Sequence, residues 1–407
     1  MPCPALVDHA HSRLRRRLLL GGASAGLAML GTAPACAGEP VLLGFDGELS
    51  VEGSTSAQAI QAGIEIAIDE INAAGGVLGG RPLALVVRDN RTMPARSAQN
   101  LKDFAAMPAL VGVFCGRYSP TVLETLPLVH ALGLPLLDPW ASADGIIAHG
   151  MKPSHTFRLS MSDSWAMPVV CSHAARQGRR ALGLLAVNTS WGRSSERALV
   201  AHLATRNDHQ RLAAARWFNY TDSPAVFATK YLELLQSGAD TIVFVGNFRE
   251  GAELVQAIAA LPAAERRPVM AHAGVMGGDF SGACGDALQR VQVSVVQTFG
   301  FAGATRPGAA RVRAQAMKRL AVDGRRVPSA AGLAQAYDLM HIVARALHAG
   351  RSAERAVLRD ALERSAPYAG LIRDYQAPFT PTRHDALGPG DLYMARFDSD
   401  GALVRTR

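Results

Sequence analysis

The chain has 407 residues, 49% hydrophobic and 19% charged, an ordinary globular composition with length enough for two domains of typical size. Its 42 basic and 34 acidic residues give a net charge of +8, but the excess is scattered, and with no basic stripe or nucleic-acid motif it does not argue for DNA or RNA, so no nucleic-acid partner is expected. After residue 37 no segment stays apolar for the roughly 20 residues a membrane span needs, so no stable membrane insertion is expected.

The first 37 residues are laid out as an export signal. Arg13, Arg15, Arg16 and Arg17 precede the apolar run LLLGGASAGLAMLG, and TAPACAG supplies small residues. Ala35-Cys36-Ala37 is the preferred cleavage site and Ala33-Pro34-Ala35 the second. Arg15-Arg16 admits the twin-arginine route beside the general secretory one. Cys36 lacks the Leu three places earlier that a lipid-anchored cysteine carries, which disfavours anchoring there. The expected location is the periplasm. Removing four arginines and Asp8 with the leader lowers the excess charge to about +5. Cys3 and Cys36 leave as well. Cys115, Cys171 and Cys284 remain, with no zinc or C-x-x-C spacing, and are expected to be buried small hydrophobes with at least one thiol free.

Short β-rich runs then alternate with segments of helical period. VLLGF (41–45) precedes a helix from about Ser56 to Asn72, with Ile60, Ile64, Ala67, Ile68 and Ile71 on one face and AAGG closing it. LALVV (83–87), a helix near 95–106, ALVGVF, a helix from Pro120 and LPLLD (134–138) follow. The pattern restarts after HTFRLS (155–160), with a helix near 163–177, ALGLLAV (181–187), a helix from Ser190, and AAARWF (213–218). A helix near 224–236, TIVFVG (241–246), another helix and PVMAH (268–272) continue it. Helical segments 308–320 and 331–349 come after a strand near 291–297, and the chain closes on a hairpin pattern, LYMARF-DSDG-ALV (392–404). Such alternation predicts an α/β fold with parallel sheets covered on both faces, divided into two lobes.

Chemistry-bearing motifs are sparse. Walker A, H-E-x-x-H and G-x-S-x-G sequences are missing, and GGVLGG (75–80) follows a helix and precedes a strand, the reverse of a dinucleotide fingerprint. His149 and His155 bracket a Gly/Pro loop and fit no ligand spacing, so the histidines read as isolated surface or core residues. No catalytic residue, metal or cofactor is nominated, and no enzyme is expected. The positive signal is three strand-to-helix junctions, GRYSPT (116–121), DPWASAD (138–144) and NTSWGRS (188–194). In open α/β sheets ligands sit outside the carboxyl ends of strands, where helix N-termini offer unpaired N–H groups. Ser119 is placed to cap its helix, with Pro120 at the first helical position.

The stretch GFDGELSVEGSTSAQAIQAGIEIAIDEINAAGGVLGGRPLALVVRDN resembles the opening of class I periplasmic binding proteins of the leucine/isoleucine/valine-binding branch, and the resemblance continues through LVGVF-CGRYS, LPLLDPWAS, NTSWGRS and TIVFVGNFREG. It implies two Rossmann-like lobes joined by three crossovers, with a ligand in the cleft between them. Lobe one would take residues 40–158 and 299–385, lobe two 159–298 and 386–407. It further implies the extracytoplasmic solute receptor of an ABC importer, a monomer delivering a small molecule to membrane permease subunits. A ligand-sensing module of the same fold, or a branched-chain amino-acid binder, are the alternatives.

Carried over by position, the resemblance places ligand contacts at Gly116 to Ser119, at Ala141 and Ser142 for a carboxylate, at Trp191, and on or beside Phe248. Glu48 stands where the family's loop proline does and, with Ser56, joins the candidate set. Arg117 would supply a fork for a carboxylate, and Tyr118, Trp140 and Trp191 the apolar walls. The alternative for Arg117 is to point outward or to pair with Glu48. The family's acid for an α-ammonium group falls near Ala273, where no acid stands, and Thr92 replaces the disulfide partner of Cys115. The implied ligand is a small polar molecule, an organic acid with a flat or apolar body, and not a simple α-amino acid.

Overall fold

The computed structural model describes residues 38–322, 326–399 and 401–406. The leader lies outside these residues. Five strands, β1 (Val41–Gly47), β2 (Leu83–Asp89), β3 (Leu110–Cys115), β4 (Leu136–Asp138) and β5 (Thr156–Arg158), form an all-parallel sheet in the order β2-β1-β3-β4-β5. A second sheet takes β6 (Ala181–Val187), β7 (Arg211–Phe218), β8 (Thr241–Val245), β9 (Val269–Ala271) and β10 (Val293–Gln297) in parallel. The short pair β11 (Tyr368–Ala369) and β12 (Asp374–Tyr375), which no sequence signal announced, forms a ribbon of its own. The C-terminal hairpin, β13 (Tyr393–Phe397) and β14 (Leu403–Arg405), adds to β10 in antiparallel fashion, so the second sheet is mixed.

β6 is buried at every position and β1 at all but one, because helices cover both faces of each sheet; that is why both read as unbroken apolar runs. Each sheet has its own core. Ser56–Ala73 lays Ile60, Ile64, Ala67 and Ile71 against the first sheet, where Ala330–Gly350 packs alongside with Leu333, Tyr337, Met340 and Leu347. Asp163–Arg176, Ser190–Ala204, Pro224–Gln236 and Phe248–Ala260 cover the second. The chain passes between lobes three times: after β5, after β10, and after residue 387 on its way to β13. Within the first lobe, buried Asp338 accepts from the Leu371 and Ile372 N–H groups and from the Tyr375 hydroxyl, fastening the stretch before the last crossing. Burial pushes that carboxyl up to about 6.

Cys115, Cys171 and Cys284 are buried free thiols. The expectation that the histidines are isolated is corrected here, for His130 packs against His149 and His155 at 4.5 and 5.3 Å between ring centroids. They are tied into the loop they line: Met151 and His155 donate backbone N–H groups to His149 Nδ1 and His130 Nε2. Burial, then the His130 neighbour, pushes His149 down to about 4. No helix of the described residues is long and apolar enough to cross a membrane.

Candidate functional site

In each sheet the strand order reverses once, between β1 and β3 in the first and between β6 and β8 in the second. At such a switch point adjacent loops leave in opposite directions and open a crevice at the carboxyl ends of the strands. The two crevices face each other here across a narrow cavity of about 20 Å³, or about 310 Å³ when all the open space at its mouth is counted. Arg117, Tyr118, Ser119, Pro120, Trp140 and Ser142 line it from the loops after β3 and β4. From the second lobe come Trp191, Tyr220, Asn247, His272 and Gly274, each within a few residues of the end of β6, β7, β8 or β9. Missing side chains make room for the large rings. A Cβ on Gly332 would lie 2.0 Å from the Trp140 ring, and one on Gly274 2.4 Å from that of Trp191.

Five of the ten candidate residues share the cavity wall on the first lobe, and Trp191 faces them from the second. Arg117 is buried in the cavity wall and stands beside Glu48, the pairing that the sequence offered as its alternative. Its Nε lies 3.4 Å from Glu48 Oε1, too far off line for a hydrogen bond, while its Nη1 donates to Asn247 Oδ1 of the other lobe. Its guanidinium also covers the Tyr118 ring at 5.1 Å. Tyr118 in turn meets Tyr220 across the cleft at 5.8 Å.

The remaining candidates take other places. Glu48 stands behind Arg117, accepts from Ser56 Oγ at 2.9 Å, and lines a separate small pocket with Asp46 and Cys115; neither Glu48 nor Ser56 reaches the cavity wall. Ala141 is buried behind Trp140, because its N–H donates, with that of Trp140, to Asp138 Oδ1 at 2.7 and 2.9 Å. This Asp turn aims Trp140 into the cavity, and burial pushes the Asp138 carboxyl up to about 7. Phe248 is the first residue of its helix, and its ring lies against Gly53 and Gly278 instead of the cavity; Asn247, one residue earlier, takes the wall position. Ser119 does not cap. Tyr118 holds the N-cap position without a side-chain bond, and the Ser119 hydroxyl accepts the N–H groups of Ser142 and Ala143 at 3.2 and 3.3 Å. Of the two residues expected to meet a ligand carboxylate, Ser142 thus spends its N–H on Ser119 and Ala141 its N–H on Asp138. The Ser119 hydroxyl hydrogen stays available to a ligand.

Sequence patterns gave no reason to single out Tyr220, Asn247, His272, Asp163 or Glu250. Asp163 opens the helix Asp163–Arg176, where a first-turn acid suits the helix dipole and looks unremarkable. Tertiary packing brings it 3.2 Å from His272 Nε2 and 3.2 Å from Ser142 Oγ. The serine donates to the aspartate and not to the histidine, so no nucleophile–base pair forms. Glu250 is buried with Oε2 unpartnered, its carboxyl raised by burial although Arg117 pulls the other way. Further bonds hold the lobes together around the cavity: Thr55 N–H to Gly277 O at 2.9 Å, Ser329 Oγ to Met276 O at 3.0 Å, and Asp144 N–H to Ser194 Oγ at 3.1 Å. Among the described residues no His/Cys/Asp/Glu group is arranged to hold a metal.

Comparison with known proteins agrees with this architecture. A periplasmic binding protein type 1 structure from Bordetella pertussis superposes with TM-score 0.79 at 19% identity, covering 90% of this chain and all of that one. A solute-binding protein of an ABC transporter from R. palustris, solved with 4-hydroxybenzoate, gives 0.74 at 16% identity over 91% and 96%. A leucine-binding protein from Thermotoga maritima gives 0.74 at 14% over 90% and 98%. These likenesses establish the fold. Leu/Ile/Val-binding protein homolog 8 of Brucella suis is 25% identical over 242 residues, 56% of this chain and 57% of that protein, so the match spans little more than half of the relative. The family model for periplasmic binding proteins matches residues 40–402, and the chain belongs to that family.

Proposed function

We propose that this protein is the extracytoplasmic receptor of an ABC importer, exported and monomeric, closing its two lobes on a small organic acid with a flat or apolar body. It is a binder that hands its cargo to permease subunits, not a catalyst. The lobe division expected from the sequence is part of this proposal, with hinge motion about the three crossings.

One observation carries the choice of ligand. Among the described residues the cavity wall holds two tryptophan and two tyrosine rings, the His272 imidazole, the Arg117 guanidinium and several hydrogen-bond donors, but no carboxylate. Of the acids nearby, Glu48 stands behind Arg117, Asp163 behind His272 and Ser142, and buried Glu250 lies outside the wall. An α-ammonium group would be buried without a counter-charge in the wall, at a cost of several kcal/mol after relaxation. The aromatic acid of the R. palustris relative is therefore a better guide than the amino acids named for the Brucella one. Arg117 and the Ser119 hydroxyl would meet the acid group, with Trp140 and Trp191 on the body.

A thermal-shift panel of benzoate-like acids, aliphatic acids, leucine, isoleucine, valine and glutamate tests this. At 100 times its Kd a ligand adds about 2.7 kcal/mol of stability, enough for a clear rise in melting temperature. The rise is expected with one or more non-amino acids and not with leucine. Micromolar binding of leucine, kept in Arg117→Ala and lost in Glu48→Gln, would contradict the proposal.

A further inference from the structure

Two polar groups in the cavity wall stand side by side on the second lobe without a hydrogen-bond partner. One is the indole Nε1–H of Trp191, a residue 7% exposed. The other is the imidazole of His272, 2% exposed, whose ring meets Trp191 edge to face at 5.1 Å. Buried groups of this kind cost stability when left unpaired, and a cavity that keeps them is built for something to pair with.

Their polarity follows from what lies behind them. Asp163, 0% exposed, places Oδ1 3.2 Å from His272 Nε2, with the N–H off line, so the contact is electrostatic rather than an aligned hydrogen bond. A carboxylate on that side favours the tautomer carrying its proton on Nε2, which leaves the Nδ1 lone pair as an acceptor. Asp163 is fixed there by the Ser142 hydroxyl and by its place in the first turn of a helix. A second carboxylate at this spot would be repelled by Asp163. A neutral group that accepts from an indole N–H and donates to an imidazole fits.

We propose that Trp191 and His272, with Asp163 as the positioning residue, form a donor–acceptor subsite for a ligand hydroxyl or primary amide. It would hold the end of the ligand opposite its acid group. The inference rests on the acid-ligand proposal above, which assigns the acid end to Arg117 and Ser119 of the first lobe. A ligand with both ends engages both lobes at once, so the subsite ties ligand choice to closure.

The test is calorimetry of the whole protein with matched pairs: benzoate and 4-hydroxybenzoate, benzoate and 4-carbamoylbenzoate, hexanoate and 6-hydroxyhexanoate. A site built to bond a hydroxyl or amide rejects the analogue lacking it, and a preference of roughly 30-fold or more is expected for at least one substituted member. In His272→Phe that preference should fall to about 3-fold or less, read as the ratio of the two affinities within the variant. Trp191→Phe, which removes the N–H and reduces the indole to a single ring, is the second variant should His272→Phe not fold, and Asp163→Asn should lessen the preference without removing it. A wild type that binds parents and substituted acids equally overturns the subsite and leaves the acid proposal standing. A preference untouched in both His272→Phe and Trp191→Phe overturns it also. Binding of no acid in the panel overturns both.

Discussion

Replacing Arg117 with alanine is expected to weaken capture of the acid on the order of 100-fold, about 2.7 kcal/mol of binding free energy. The side chain is buried, it is the one guanidinium in the cavity wall, and its bond to Asn247 makes it a strut between the lobes. The substitution also strands Glu48, which is wholly buried and already has one oxygen without a partner. Part of the loss would therefore appear as lower stability of the empty protein. The double variant Arg117→Ala/Glu48→Gln separates the two effects, since it removes the stranded charge but supplies no new one for the ligand. Recovery of melting temperature without recovery of affinity is the expected outcome by calorimetry. Wild-type affinity in the single variant would remove Arg117 from the site.

The largest expected loss of stability is at Arg158, which is 2% exposed. This guanidinium pairs with Asp385 at 2.6 Å, donates to Ala143 O at 3.1 Å, and belongs to a residue whose backbone brackets His384 and Ala386. Burial works against its charge, but Asp385, with Asp138 and Asp144 beyond it, holds the proton on more firmly than usual. It thus joins the loop carrying Ser142 to the stretch that leads into the last crossing between lobes. Breaking a buried pair from one side costs about 3–5 kcal/mol, and Arg158→Ala should lower the melting temperature by roughly 5 °C in a chain of this length. Arg158→Met with Asp385→Asn, which removes both charges, should recover part of that. An unchanged melting temperature in Arg158→Ala would show that the pair is not structural.

Local signals carried the layout of the fold far, because central strands such as β6 and β8 are largely apolar runs and the helices Pro94–Ala105 and Pro224–Gln236 open on a proline. Pro224 marks the first residue of Pro224–Gln236, and ALGLLAV is a strand over its whole length, as expected. The cavity was legible as a set of loops but not as a set of side chains. Ser119 looked like a cap because a serine before a proline often is one, yet its hydroxyl is claimed by a loop 23 residues on. Phe248 and Asn247 are neighbours, and one residue at the start of the helix decides which of them lines the cavity. His272 follows a strand without any motif, and what distinguishes it, a carboxylate 109 residues earlier in the chain, exists only after folding. Period and propensity report which face of an element is buried; they say little about which loops meet.

The most direct test is a crystal structure of the protein grown with the acid that the panel selects. The expected result is a single molecule in the cavity between the lobes, its acid group at Arg117 and the Ser119 hydroxyl, its body between Trp140 and Trp191. A bound acid located elsewhere on the protein, with this cavity closed and empty, would contradict the account.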